Sequence, residues 1–357
     1  MTEVMSTAPR ARTSAEVADA LASGRAVVAL ETAAVTHGLP RHELPHAPLE
    51  GSVPYLADPS VPAAIRACFA GGAPAHRALG HALAAAVRAE GAVPATVGML
   101  HGELVIGLTA DELDELADMR DAHKVSARDV GLVSARSGSG GTTVAATLLA
   151  CSLAQSTRGA HPIRVFATGG IGGVHRGFAV LPDVSADLHA IRDSSTLVVT
   201  AGAKSILDLA ATVEALDTLG IPTVGLGTPF FPRFLTEGSA ALRVNIEAHD
   251  EADAAHIFAA HCGFHAHRGM LLCVPPLAQY ALESEVMERA INAGLAECAR
   301  VNARGPDITP VLLAAVAEAT QGASLATNLA VLLHNARVGA RVAIAHASRL
   351  TFVPPSV

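Results

Sequence analysis

One lysine stands where covalent chemistry would be expected. Lys204 lies in the short segment AGAKS at 201–205, directly after the apolar run 196–200 and before a helix-like pattern over 206–216. Partial burial beside a strand and the positive end of a helix dipole both favour the uncharged amine. An uncharged lysine amine is a nucleophile that forms Schiff bases with carbonyl carbons. The alternative is an ordinary solvated or ion-paired lysine.

Two sets of carboxylates could complete such a site. Glu31 ends the apolar run 27–31, and a carboxyl group at the end of a buried strand can have a raised pKa and act as a general acid. Asp183, Ser185 and Asp187 follow one another at i, i+2 and i+4, and oxygen ligands at this spacing suit Mg²⁺ or Mn²⁺. The alternatives are a surface or ion-paired role for Glu31 and helix capping by Asp183 or Ser185.

Three segments have the character of an anion site. Clustered glycines at 169–173 precede His175 and Arg176, and such glycines let backbone N–H groups approach an anion closely. The segment 137–143, SGSGGTT, opens a predicted helix, and helix N-termini favour phosphate. Lys124 could supply a cation for the same phosphate. Neither glycine segment matches a dinucleotide or Walker motif, and a tight turn or ordinary helix capping is the alternative.

The composition excludes several classes of function. Half of the 357 residues are apolar and 16% are charged, which predicts a well-packed globular protein. The formal net charge is −8 and aromatic residues make up 3%, so nucleic acid and anionic membranes are not expected partners. Residues 1–12 contain no apolar signal-peptide core, and no apolar run reaches the roughly 20 residues of a membrane span. Five cysteines without a C-x-x-C pair predict neither a disulfide framework nor a zinc site, and they favour a reduced, cytoplasmic setting.

Short apolar runs alternate with longer helical patterns, and this alternation predicts a largely parallel sheet covered on both faces. The carboxyl ends of the strands then line the ligand crevice, and Glu31, the glycines at 169–173 and Lys204 all follow predicted strands. The predicted strands are 27–31, 97–100, 104–107, 164–167, 197–200, 222–225 and 271–274, and the predicted helices are 14–22, 78–89, 110–118, 143–154, 206–216 and much of the chain from 280. Seven prolines between 40 and 74 interrupt the alternation and predict a surface insertion that could reach over the site.

Taken in order, these segments resemble the pseudouridine-5′-phosphate glycosidase family, which includes indigoidine synthase A. The matching stretches are 28–32 with 37–40, 91–96, 124–129, 141–147, 166–177, 183–187, 201–208 and 309–310 with Ser324, Leu325 and Asn328. The resemblance implies a single domain over about 14–345, a flexible N-terminus at 1–13 and a C-terminal tail at 346–357. It also implies a three-layer α/β/α sandwich around a mixed, largely parallel sheet, and a homotrimer.

The resemblance further implies an activity and the residues that carry it. Family members reversibly make or break the C–C bond between C1 of ribose 5-phosphate and C5 of uracil, as glycosidases or lyases of the pseudouridylate synthase type with a divalent metal, usually Mn²⁺. In this chain Lys204 matches the Schiff-base lysine, Glu31 the proton donor and Asp183 the metal ligand. The positions that match substrate contacts or polar groups near the sugar and base are Lys124, Val144, His175, Ser185, Ala186, Asp187 and Asn328. The implied partners are a small sugar phosphate and a carbon acceptor base.

A C-glycosidic bond sets specific demands on such a site. It has no leaving oxygen to protonate, so the paired-carboxylate scheme of ordinary glycosidases does not apply. An iminium at Lys204 would supply an electron sink beside the bond, and the base then has to be protonated at carbon by an acid such as Glu31. Lys124 and the helix N-termini would hold the phosphate, whose binding energy could assist the chemistry.

Departures from the family pattern leave the acceptor open. His76 and Arg77 stand where an amide pair is expected, the stretch 273–278, CVPPLA, lacks the family's amide and acid, and Ala127 replaces an arginine. A site that loses hydrogen-bonding partners discriminates differently between substrates. The alternative is therefore a C-glycosynthase that joins ribose 5-phosphate to a non-uracil carbon acceptor, in a secondary-metabolite pathway. A non-catalytic sugar-phosphate-binding protein is a third hypothesis, and the direction of the reaction stays open.

Overall fold

The computed structural model describes residues 10–39, 53–156, 159–179, 182–301 and 308–351. The strands in these ranges are β1 (Ala11–Thr13), β2 (Val27–Leu30), β3 (Val93–Leu100), β4 (Glu103–Ile106), β5 (His123–Val125), β6 (Gly140–Thr142), β7 (Gln155–Ser156), β8 (Gly159–Ala160), β9 (Val165–Ala167), β10 (Leu197–Thr200), β11 (Thr223–Leu226), β12 (Ile246–Ala248) and β13 (Met270–Cys273). The helices are α1 (Ala15–Ala22), α2 (Ala33–His37), α3 (Pro54–Ala57), α4 (Ala63–Ala67), α5 (Ala75–Ala89), α6 (Ala110–Asp118), α7 (Val130–Ala135), α8 (Val144–Leu153), α9 (Ala186–Arg192), α10 (Leu209–Thr218), α11 (Glu251–Phe264), α12 (Ser284–Arg300), α13 (Ile308–Ala319) and α14 (Ala323–Thr351).

Eleven strands form one sheet, and β7 and β8 form a separate pair. The main order is β1-β4-β3-β2-β9-β10-β13-β11-β12, with β6 pairing with both β3 and β5. Strand β3 is antiparallel to β4 and to β6, and the other pairs of this sheet are parallel. The prediction of a mixed, largely parallel sheet is therefore confirmed.

Helices cover both faces of the sheet. In β2, Val27 and Ala29 pack into one apolar cluster and Val28 and Leu30 into another, because successive side chains of a strand point to opposite faces. Helices α1, α8, α9, α10, α12 and α13 contribute to the first cluster. Helices α5, α11 and α14 contribute to the second. This is the three-layer α/β/α arrangement, and the doubly covered strands explain why their sequences are apolar throughout rather than alternating.

The strands predicted at 97–100 and 104–107 are the paired ends of β3 and β4. They meet at a two-residue turn in which His101 and Gly102 have φ values of 49° and 80°. Glycine tolerates this left-handed backbone, which is what a tight hairpin turn requires. The other predicted strands are confirmed with end shifts of one or two residues.

The proline-rich segment differs from its prediction. Residues 40–52 lie outside the described residues, but 53–74 form α3, α4 and a 3₁₀ turn at Ala70–Gly72. The side chains of this part that pack into the second apolar cluster are Val53, Tyr55, Leu56, Val61, Ile65 and Phe69. The prediction of a surface excursion is wrong for 53–74, because its apolar residues between the prolines complete the core around α5 and α14.

None of the helices in the described ranges combines the length and the apolar character that crossing a bilayer requires. All five cysteines are described, and each is a free thiol.

Candidate active site

Glu31 and Lys204 follow neighbouring strand ends in the middle of the sheet. Strand β2 ends at Leu30 and β9 ends at Ala167, and these two residues are paired. Strand β10 lies on the other side of β9 and ends shortly before Lys204. Because adjacent strands lie about 4.8 Å apart, parallel strands bring the residues after their ends to one edge. The sheet therefore places the predicted proton donor and the predicted Schiff-base lysine at the same edge.

The backbone of Lys204 is tied to the glycine segment, residues 169–173. The Lys204 N–H donates to the Ile171 carbonyl at 3.0 Å, and the Ile171 N–H donates to the Gly202 carbonyl at 3.0 Å. These bonds continue the β9–β10 pairing beyond the strand ends, so the position of Lys204 is set by the sheet.

The helix predicted at 206–216 begins later. Helix α10 starts at Leu209, and Asp208 caps it by accepting a hydrogen bond from the Ala211 N–H at 3.0 Å. The predicted proximity of Lys204 to a helix N-terminus is therefore wrong, because the field of a helix terminus falls off within one turn.

Close packing explains the glycine segment. A Cβ atom on Gly170 would lie 2.6 Å from the Phe234 ring, one on Gly172 would lie 2.3 Å from the Ser185 hydroxyl, and one on Gly173 would lie 2.5 Å from Thr212. Backbone N–H groups here also have protein acceptors, since Gly172 donates to a carboxylate of Asp187 at 2.8 Å. The glycines let neighbouring segments approach, which is the tight-turn alternative to an anion cradle.

Asp187 joins two segments of the site. Its Oδ2 accepts from Gly172, and its Oδ1 accepts from the Ala145 N–H in the first turn of α8 at 3.1 Å. Ser185 caps α9 by accepting from the Asp187 N–H at 3.2 Å, and Ala186 is the first residue of α9. Asp187 is buried, so its carboxylate holds the glycine segment against α8. Thr143 occupies the cap position of α8 without a side-chain bond, so the carboxylate takes over part of that role.

Glu31 has the environment of a proton donor. Burial raises the pKa of its carboxyl group, while the nearby Lys204 and a hydrogen bond from the Thr168 hydroxyl oppose that rise. Thr168 is positioned in turn by Asn335 of α14, whose amide donates to the Thr168 carbonyl at 2.7 Å. A carboxyl group that keeps its proton to a higher pH than usual is suited to general acid catalysis.

Lys124 belongs to the same charged group. Desolvation of its ammonium and the charge of Lys204 lower the pKa of Lys124, while Glu31 and Asp187 oppose the shift. The 357-residue chain has 25 lysines and arginines in total. Two of them are lysines, Lys124 and Lys204, and the other 23 are arginines. Arginine replaces lysine poorly where a compact cation or a titratable amine is needed.

Lys204 also borders a cavity of about 350 Å³. Its larger apolar lining residues are Leu39, Ile206, Phe234, Leu235, Met287 and Leu325. Asn328 of α14 lines it as well, and its amide makes no hydrogen bond with the described residues. Glu31 and Lys124 are not among the lining residues. The site thus has a charged half and an apolar half that share Lys204.

Asp183 and His175 lie near each other. The His175 Nδ1 is 3.9 Å from the Asp183 Oδ2, and the His175 N–H donates to the Asp183 carbonyl at 3.0 Å. The described ranges contain no cluster of three or more His, Cys, Asp or Glu side chains suited to a metal. Asp183 would therefore be a single protein ligand, and the two oxygens of Asp187 are already used by backbone N–H groups. A single carboxylate fits a hard cation that keeps most of its water shell.

The residues that depart from the family pattern do not line the cavity. Arg77 forms an ion pair with Asp118 of α6, and His76 is buried in α5. Cys273 ends β13 in the core, where burial raises the pKa of its thiol.

Three further contributors were not predicted from the sequence. Thr168 lies inside a recognised stretch, but its bond to Glu31 depends on the pairing of β2 with β9. Asn335 stands seven residues after Asn328, a spacing that places both on one face of α14. Met287 comes from α12, and nothing in its local sequence points to a cavity.

The family model for indigoidine synthase A-like proteins matches residues 67–345. A pseudouridine-5′-phosphate glycosidase of Chloroflexus aurantiacus is 44% identical over 337 residues, covering 93% of this chain and 97% of that protein. One from Herpetosiphon aurantiacus is 42% identical over 92% of this chain and 96% of its own length.

Two crystal structures have the same fold. The prealnumycin C-glycosynthase AlnA in complex with ribulose 5-phosphate superposes with a TM-score of 0.76 at 32% identity, covering 96% of this chain and 98% of that one. An indigoidine synthase A-like protein from Thermotoga maritima gives a TM-score of 0.74 at 28% identity, covering 94% and 96%. With the family model matching most of its length and relatives aligned over more than nine-tenths of it, the chain belongs to the indigoidine synthase A-like family.

Proposed function

We propose that this protein is an enzyme that makes or breaks a C–C bond at C1 of ribose 5-phosphate through a Schiff base on Lys204. The observation that carries the proposal is the position of Lys204, which lies close enough to Glu31 and Lys124 to shift the pKa of each and also lines a largely apolar cavity. The names of the relatives, pseudouridine-5′-phosphate glycosidase and C-glycosynthase, support the same reaction class.

The reaction begins when the Lys204 amine adds to the C1 aldehyde of the open-chain sugar, and loss of water leaves an iminium. In the direction of synthesis, an acceptor carbon attacks C1, and the iminium electrons return to the lysine nitrogen. The acceptor carbon then loses a proton, and the sugar 4-hydroxyl displaces the amine from C1 as the ring closes. Cleavage is the reverse of these steps.

Glu31 handles the proton at the acceptor carbon. In cleavage it protonates that carbon, so that the electrons of the broken C–C bond return to the acceptor ring while the lysine nitrogen lone pair forms the iminium; in synthesis its carboxylate removes the same proton. Burial, which raises the pKa of Glu31, favours the acid form, and the Thr168 hydroxyl fixes the carboxyl group. This role follows the general requirement that a catalytic acid titrate near the working pH.

Lys124 and the start of α8 are proposed to bind the phosphate. Val144 is the first residue of α8, and the N–H groups of a first helical turn together with a lysine form a typical phosphate environment. His175 and Asn328 are proposed to contact the sugar and the acceptor, with 185–187 next to the sugar.

A divalent cation, Mn²⁺ first, is proposed at Asp183, with water completing its shell. It would supply positive charge near the phosphate of the bound sugar. We further propose that the protein is a homotrimer in a reducing cytoplasm, consistent with five free cysteines.

The deciding experiment is reductive trapping. Protein, ribose 5-phosphate, Mn²⁺ and borohydride are expected to give one reduced pentose-phosphate adduct, located by peptide mass spectrometry at Lys204. Because the chain has two lysines, Lys124→Arg serves as the matched control and keeps the adduct, whereas Lys204→Arg abolishes both adduct and turnover. The proposal is wrong if wild-type protein gives no adduct, or if the adduct lies on Lys124.

Pseudouridine 5′-phosphate is the first substrate to test, since the curated relatives carry that name. Release of uracil from it measures the cleavage direction. A second candidate is synthesis with a non-uracil acceptor, and the apolar lining of the cavity is the observation that favours it.

A further inference from the structure

The segment that carries Lys204, residues 201–208, belongs to neither a helix nor a strand ladder and connects β10 to α10. One side of it is tied to the glycine segment and the residues that follow. The Lys204 N–H donates to the Ile171 carbonyl at 3.0 Å, and the Asp208 N–H donates to the Val174 carbonyl at 2.9 Å. A displacement of about 1 Å in a reacting group can cost roughly 100-fold in rate, so the other side of this segment matters as well.

Arg176 holds that other side. Its Nε donates to the Leu207 carbonyl and its Nη2 to the Ser205 carbonyl, both at 3.3 Å. The guanidinium is a rigid planar fork, so two bonds from it fix the direction of a backbone segment as well as its distance. Arg176 follows a candidate anion segment in the sequence, but in the structure its N–H groups point to protein acceptors within two to three residues of Lys204.

Glu288 of α12 holds the guanidinium in turn. Its carboxylate accepts from both Nη1 and Nη2 of Arg176 at 3.4 Å, and from Nη2 of Arg233 at 2.9 Å. The Arg233 carbonyl accepts from the Ser205 hydroxyl at 2.6 Å. One carboxylate is therefore connected to the residue after Lys204 by two routes, one through each arginine.

These three charged side chains are too exposed to contribute much to the stability of the fold. The exposed fraction is 31% for the side chain of Arg176, 23% for that of Arg233 and 39% for that of Glu288. Partly exposed ion pairs of this kind add little to the free energy of unfolding. Their bonds nevertheless converge on one irregular segment, which suits a role in setting the position of that segment.

Resting on the function proposed above, we propose that Glu288 is a positioning residue for Lys204 and acts mainly through Arg176. The carboxylate keeps the guanidinium against the two carbonyls, so that the Lys204 amine meets the C1 aldehyde in the orientation that addition requires. Loss of the carboxylate frees the guanidinium to turn towards solvent, and the segment then samples more orientations. The phosphate is proposed to bind elsewhere, at Lys124 and the start of α8, so the rate of addition changes and the affinity for the sugar does not.

The kinetics of reductive trapping test this proposal. Adduct formation with ribose 5-phosphate and Mn²⁺ is followed at several sugar concentrations, with enough cyanoborohydride that more reductant no longer raises the rate. Glu288→Gln is expected to lower the maximal rate constant by about 5- to 20-fold, as for loss of one hydrogen bond to a charged group, and to change the half-saturating sugar concentration by less than about twofold. Unfolded molecules reduce only the amplitude, so the rate constant reports on folded protein.

Two further variants of α12 serve as controls. Glu285→Gln removes a carboxylate that is 92% exposed and lies 4.0 Å from Arg289, so it should keep the wild-type rate constant. Glu288→Asp keeps the charge and should recover part of the rate that Glu288→Gln loses. A wild-type rate constant in Glu288→Gln, or an equal fall in Glu285→Gln, overturns the proposal. A higher half-saturating concentration with an unchanged maximal rate also overturns it, because Glu288 would then act in sugar binding.

A double variant tests the route through Arg176. Arg176→Gln alone should slow adduct formation at least as much as Glu288→Gln does. If Glu288 acts through Arg176, the double variant should be less than about twofold slower than Arg176→Gln. Losses that multiply would show that the two residues act independently and would overturn this route.

The wild-type protein separates the two proposals. An adduct at Lys204 in wild-type protein, together with an unchanged rate constant in Glu288→Gln, rejects the positioning role alone. Failure of wild-type protein to form the adduct rejects the proposed function and, with it, the positioning role.

Discussion

The charged half and the apolar half of the site are built in different ways. Glu31 and Lys204 follow β2 and β10, which both pair with β9, and Asp187 uses both oxygens on backbone N–H groups, so the charged half is fixed by main-chain geometry. The cavity takes its walls from loops and from helices α2, α12, α13 and α14. On the proposed function, the sugar chemistry is therefore tied to the sheet, whereas the cavity can change by substitution of helix side chains.

The largest expected effect is that of Glu31→Gln. The amide cannot donate or remove the proton at the acceptor carbon, so we expect kcat to fall by about 10²- to 10⁴-fold. The adduct of ribose 5-phosphate at Lys204 should still form. Steady-state kinetics and trapping on the same preparation check this. A variant that keeps its kcat would break the assignment of proton transfer to the charged half.

Glu31→Gln also makes a prediction about stability. Burial raises the pKa of Glu31, so its charged form is disfavoured in the folded state, and wild-type protein loses stability as the pH rises from the ordinary glutamate value through the raised one. The variant has no charge to bury. In urea unfolding we expect similar stabilities near pH 4 and a growing advantage for the variant towards pH 7. A difference in stability between the variant and the wild-type protein that does not change with pH would contradict the raised pKa of Glu31.

Substitution of Lys124 tests whether this lysine acts as a compact cation. Lys124→Met removes the charge, and loss of a charge-assisted bond to phosphate is expected to raise KM for the sugar phosphate by about 10- to 150-fold with a smaller change in kcat. Lys124→Arg keeps the charge in a larger, planar group, so we expect partial recovery of KM at best. Full recovery in the arginine variant would show that charge alone is required at this position.

Gly172 tests whether the charged half depends on close main-chain packing. A Cβ atom there would lie 2.3 Å from the Ser185 hydroxyl and 2.9 Å from a carboxylate oxygen of Asp187. Gly172→Ala should therefore lower the free energy of unfolding by about 1–3 kcal/mol. Activity should fall in the same variant.

Gly131→Ala is the matched control for Gly172→Ala. Gly131 lies in α7, and a Cβ atom added to it would meet no heavy atom of the described residues within 4 Å. The extra methyl group should therefore be neutral or stabilising by up to about 1 kcal/mol. Equal thermal shifts for the two variants would show that the glycine segment is not tightly packed.

The charged half was more predictable from the sequence than the cavity. Apolar runs end at Glu31 and shortly before Lys204, so strand ends and chemistry-bearing side chains could be placed without coordinates. The predicted start of α10 is too early because Ile206 and Leu207 are as apolar as the helix itself, whereas Asp208 caps the helix and Leu209 begins it. The segment 53–74 was misjudged because its prolines indicate loops and its buried residues are spaced irregularly. Asn335 and Met287 lie far along the sequence from the site residues they approach, so no local sequence pattern predicts their positions.

The smallest expected effect is that of Thr168→Val, which asks how finely the charged half is tuned. The Thr168 hydroxyl donates to Glu31 and holds its pKa below the value that burial alone would produce. Removal of this bond should raise the pKa of Glu31 further, so the alkaline limb of the cleavage profile, where the acid form is lost, moves to higher pH. We expect kcat at the optimum to fall by less than about tenfold, as for one hydrogen bond. Thr168→Ser keeps the hydroxyl and should retain the wild-type profile. A limb that stays in place in the valine variant would mean that Glu31 does not set it, and a limb that moves equally in both variants would mean that loss of the hydrogen bond is not the cause of the shift.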